Sequence, residues 1–80
     1  MNKDIDNRLT DLIIDYKCLG AYSSVEEMVA NMDYNSKSFR EVCDCMRMKD
    51  YSFIDAKLCV LQEIQHKIIN IVVEELYGNI

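Results

Sequence analysis

The chain reads as all-α, a four-helix single domain with a long C-terminal helix at about residues 53–77 and its second and third helices arranged helix-turn-helix-like. Three observations carry that reading. Proline is absent and glycine occurs only 2 times in 80 residues, so little punctuates a helix. Apolar residues recur at three- and four-residue spacing instead of alternating. Serines stand repeatedly three positions ahead of a glutamate or aspartate, the capping-box pattern of a helix start.

The first helix is expected over Asp4 to Leu19. Ile5, Leu9, Leu12, Ile13, Tyr16 and Leu19 fall on one face, and Ile14 points away from it. Asp4 and Asp6 complement the positive end of the helix dipole. Gly20 follows where a helix C-terminus favours a left-handed residue. Ser23 and Ser24 each precede a glutamate, Glu26 or Glu27, and open a short helix at about Val25 to Met32. Its apolar side is Val25, Met28, Val29 and Met32.

Asp33-Tyr34-Asn35 is a turn without glycine, after which Ser36 or Ser38 caps a third helix. Phe39, Val42, Cys43 and Met46 form its inward stripe, with Arg40, Asp44 and Arg47 on another side. Lys49-Asp50-Tyr51 breaks the pattern, and Ser52 with Asp55 starts the fourth helix. From Phe53 to Tyr77 nothing interrupts the run until Gly78. A helix of that span is about 37 Å long at 1.5 Å per residue, longer than its expected neighbours. Ile54, Leu58, Leu61, Ile64, Ile68, Val72 and Leu76 form its main stripe, flanked by Val60 and Ile71 on one side and by Ile69 and Val73 on the other. The apolar arc is about 200° wide, twice what a helix buried on one side needs. A second chain is therefore expected to cover part of it, giving a homodimer through Leu61, Ile64, Ile68, Ile71 and Val72.

Composition bounds the function. The 14 acidic and 9 basic residues give a net charge of −5, which opposes broad attraction to a phosphate backbone. No apolar run is long enough for a membrane span, and no signal-peptide pattern stands at the start. A cytoplasmic protein is expected, with Cys18, Cys43, Cys45 and Cys59 as reduced thiols. The preference for Ile, Asn, Lys, Asp and Tyr suits an AT-rich coding sequence, as in low-GC bacteria or their viruses.

Reactive chemistry finds little support. Cys43 and Cys45, two residues apart on a helix, diverge by about 200° and would not share an ion. Cys59, Glu63 and His66 share one side of the last helix, and Glu63-x-x-His66 is half of a di-iron carboxylate motif, but they point away from the apolar stripe. His66 is the sole histidine, no nucleophile is marked beside it, and no glycine-rich phosphate loop is present. No enzyme activity, cofactor or metal is expected. Acyl carrier proteins share the size, acidity and helix number, but Asn35-Ser36-Lys37 stands where their attachment serine would sit, and the long last helix does not fit. Asp4, Asp11 and Asp15, with Glu26, Glu27 and Asp33, are too sparse for a phosphate mimic and read as a solvated face.

The segment from Ser24-Val25-Glu26-Glu27-Met28-Val29 to Phe39-Arg40-Glu41-Val42 resembles the helix-turn-helix of bacterial and phage regulators. Met28, Met32, Tyr34, Phe39 and Val42 stand where that motif has apolar residues. It departs from the motif in having Asp33 in place of the turn glycine and Val29 in place of a small residue. The resemblance implies a dimeric transcriptional regulator touching DNA through Lys37, Ser38, Arg40 and Arg47. The composition favours a different expectation: a small acidic module that binds a host protein as regulator or inhibitor, in the manner of a phage or mobile-element accessory protein. Met48, Tyr51 and Tyr77 are then the candidate apolar anchors for the unidentified protein partner.

Overall fold

A computed structural model describes residues 3–78. They form four helices, α1 (Lys3–Ala21), α2 (Val25–Asn31), α3 (Lys37–Met48) and α4 (Phe53–Tyr77), and no strand. The all-α class and the long last helix are those the sequence pattern predicts.

Serine hydroxyls start three of these helices. Ser24, Ser36 and Ser52 accept hydrogen bonds from the backbone N–H groups of Glu27, Phe39 and Asp55 at 3.2, 3.1 and 3.2 Å. Each bond satisfies one of the donors that a helix N-terminus leaves open. Ser23 is not a cap; its hydroxyl donates to the Glu27 carboxylate at 3.1 Å. Asp33 closes its turn without the left-handed backbone that a glycine would supply. Its Oδ1 accepts from the Asn35 N–H at 2.9 Å and its carbonyl from the Ser36 N–H at 3.0 Å, closing the turn between α2 and α3.

Two helix ends differ from expectation. Gly20 does not take a left-handed conformation and lies inside α1. The terminal carbonyls are met instead from α4, where Lys57 Nζ donates to Tyr22 O at 2.8 Å and to Gly20 O at 3.5 Å. A cation at a helix C-terminus also complements the dipole. The left-handed residue stands at Asp50, φ 57°, just past α3. There the N–H groups of Lys49 and Tyr51 both reach Cys45 O, at 3.1 and 3.4 Å. Aspartate is among the few side chains that tolerate this conformation.

The core takes one or more residues from every helix: Leu19, Met28, Val42, and Phe53, Ala56, Val60 and Ile64 of α4. Both α1 and α3 lie along α4. Leu12, Val25, Met32, Phe39, Cys43 and Met46 pack around the core as half-buried neighbours. Val29 is exposed, not inward, because it is about 100° around α2 from the buried Met28. The radius of gyration is 14.1 Å and the longest dimension 44 Å. A compact chain of this length would have a radius near 12 Å. The excess reflects the length of α4, which three shorter helices do not enclose.

Candidate interaction surfaces

The wide apolar arc of α4 divides into two faces. Phe53, Ala56, Val60, Ile64 and Ile71 are buried, so this line is the inner face. Ile54, Leu58, Ile69, Val73 and Leu76 are between 46% and 63% exposed and form an outer ridge. The two lines are separated by roughly 160° at 100° per residue. Ile54, Leu58 and Leu76, expected at the centre of the stripe, thus lie outside the core. Hydrophobicity alone marks both faces equally, and the inner one is the face against which α1 and α3 pack.

This division changes the expected oligomer interface. Ile64 and Ile71 are buried within the chain, and a second copy cannot reach them. Leu61 and Ile68 are half-buried against the core, and Val72 is also half-buried. The apolar surface that α4 leaves open is the ridge of Ile54, Leu58, Ile69, Val73 and Leu76.

A second surface lies on α3. Phe39, Cys43 and Met46 floor an open groove of about 630 Å³, with Tyr34 at one end and Arg40, Asp44 and Arg47 along its rim. Arg47 donates to Asp44 at 3.3 Å, while Arg40 is exposed. The amphipathic pattern of α3 produces this arrangement. Val42 enters the core, its apolar neighbours reach only half-burial, and the arginines fall at the water boundary.

A third feature joins α3 to α4. Glu41 and Glu63 line a groove of about 310 Å³ with Asp44, Cys45, Met48, Lys49 and Val60. Burial raises the Glu41 pKa; Lys67 opposes the shift, and the hydrogen-bonded Glu63 carboxyl adds to it. Lys37 Nζ stands 3.9 Å from the Glu41 carboxylate.

The residues singled out from sequence are scattered over these surfaces. Lys37, Arg40 and Arg47 are exposed on α3, but Ser38 is buried and out of reach of DNA. Met48, Tyr51 and Tyr77 are all exposed but do not converge. Tyr51 precedes α4 and Tyr77 ends it, about 36 Å away along the helix. All four cysteines are unpaired. Among the described residues no three His, Cys, Asp or Glu side chains converge as metal ligands, and no helix is long and apolar enough to cross a membrane. Sequence reasoning missed Lys57, the link between α4 and the end of α1, because a lysine in a helix carries no mark of a distant carbonyl. It also missed the Glu41 cluster, in which Glu63 and Lys67 come from another helix. Comparison with protein families, with curated proteins and with solved structures finds no match to this chain.

Proposed function

We propose that this protein is a small, non-catalytic protein–protein interaction module that regulates or inhibits its partner, and that the α3 groove receives the partner. The observation that carries the reading is the joining of an apolar floor, Phe39, Cys43 and Met46, to a rim bearing Arg40 and Arg47. An exposed apolar groove with arginines at its edge suits an acidic segment carrying one large apolar anchor. Arg40 is the better placed cation, since Arg47 already serves Asp44. Recognition by arginine inside an acidic chain confines attraction to this patch and repels acidic partners elsewhere.

The test is retention of a specific protein from nuclease-treated lysate, compared between the native chain and Arg40→Glu. Retention by the native chain and loss in the variant, with helicity unchanged by circular dichroism, supports the groove. Equal retention by both removes it.

The exposure of Lys37, Arg40 and Arg47 along one helix favours a second reading, contact with duplex DNA through α3. In that case binding falls steeply with added salt, and Lys37→Ala and Arg40→Ala both weaken it. Absence of any duplex binding at low salt eliminates this reading.

A further inference from the structure

We propose that the exposed ridge of α4 is the interface of a two-fold symmetric dimer in which two α4 helices pack antiparallel, centred on Gln65. The proposal is independent of the α3 groove. It rests on the spacing of the ridge. Gln65 is the midpoint of α4, which runs Phe53–Tyr77. Four residues to either side stand Leu61 and Ile69, seven to either side Leu58 and Val72, and eleven to either side Ile54 and Leu76. All six are apolar, and all lie on the outer side of the helix or at its margin.

A two-fold interface must be self-complementary: if one residue meets another, the reverse contact follows. An antiparallel pair about Gln65 meets this condition with apolar contacts on either side of the centre. Ile54 of one copy faces Leu76 of the other, Leu58 faces Val72, Leu61 faces Ile69, and the two Gln65 amides face each other. A carboxamide can both donate and accept, so this central pair satisfies itself and penalises slipped registers.

A parallel pair fits less well. Its heptad would continue from Gln65 to Ile68, Val72 and Glu75. Glu75 would then put a carboxylate on the seam. Parallel alignment also gathers Glu74 and Glu75 of both copies at one end, in a chain of net charge −5.

The area is sufficient. The ridge from Ile54 to Leu76 extends about 33 Å. Side chains half-exposed along that length bury on the order of 500–600 Å² per copy, near the lower end of specific interfaces. The groove lined by Val60 and Glu63 marks the α3 side of α4. Those residues lie across the helix from the ridge, so a dimer leaves α3 uncovered.

The experiment is sedimentation equilibrium of the full chain from about 1 µM to about 1 mM, for the native protein, Ile54→Glu, Leu76→Lys and the double variant. Both positions are exposed, and circular dichroism verifies that each variant retains its helices. Val29→Glu, exposed on α2, is the control for an apolar-to-acid change off the ridge. The expected result is a native dimer, unaffected by Val29→Glu and weakened about tenfold or more by either ridge change. The double variant recovers part of the affinity, losing less than the two single changes added together, because antiparallel packing pairs the new opposite charges twice. A native monomer throughout the range overturns the proposal, as does a dimer indifferent to the ridge changes. Weakening by both single changes without recovery in the double variant overturns the antiparallel register.

Discussion

Replacing Leu19 by alanine tests the core where the structure makes its clearest demand. Leu19 lies near the end of α1, is 0% exposed and belongs to the cluster formed with Met28, Val42, Phe53, Ala56, Val60 and Ile64. A fully enclosed Leu→Ala change costs about 2.7–5 kcal/mol, from lost transfer energy and the cavity left behind. An 80-residue chain has about 4–12 kcal/mol of stability in total. The substitution therefore removes a large share of the stability. At about 4–8 °C per kcal/mol for a domain of this size, the melting temperature drops by at least about 10 °C. The assay is urea unfolding followed by circular dichroism, at one fixed protein concentration because dimerisation adds to apparent stability. Ile14→Ala is the matched control: it stands on the same helix at 52% exposure and should change stability by no more than about 0.5 kcal/mol. A loss below about 1 kcal/mol for Leu19→Ala, or an equal loss for Ile14→Ala, refutes the placement of Leu19 in the core.

Three further substitutions probe local features. The pKa of Glu41 is raised above the ordinary glutamate value of 4.5, first by burial, so the folded state holds its proton more tightly than the unfolded chain. Its contribution is therefore fully present below that ordinary value and is lost as pH rises through the raised folded pKa. Glu41→Gln should increase the urea midpoint at neutral pH and flatten its rise on acidification; an unchanged pH profile contradicts the assignment. The two glycines should respond with opposite signs. A Cβ at Gly20 meets nothing within 4 Å, so Gly20→Ala is expected to stabilise by about 0.4–1 kcal/mol. At Gly78 the added carbon would collide with the Glu74 carbonyl oxygen, and Gly78→Ala should lower stability. Thermal melts of both variants decide the matter, and equal shifts of one sign would contradict these environments.

Much of the fold is legible locally. The serine caps depend on a hydroxyl three residues before a backbone N–H, a relation internal to one turn, and Ser24, Ser36 and Ser52 take that role. The span of α4 follows from an unbroken run of helix-tolerant residues between Ser52 and Gly78. The candidate surfaces are less legible. Arg40 and Arg47 can be placed on an outer side of α3 by periodicity, but the groove beside them exists only because Phe39, Cys43 and Met46 stop at half-burial.

By itself the sequence determined the all-α class, the helix starts, the length of the last helix and the excess width of its apolar arc. These follow from backbone preferences and from a period of 3.6 residues, both properties of a few consecutive residues. Tertiary structure decided which part of that arc faces inward. Ile64 and Ile71 went to the core while Ile54, Leu58 and Leu76 stayed outside. Transfer free energy is similar for all of these side chains. What separates them is the position of α1 and α3 around α4, a relation between distant segments that no local pattern encodes. The same holds for Lys57 at the end of α1 and for the Glu41–Glu63 pair. In each, chain segments remote in sequence supply the partner, and only packing brings them together.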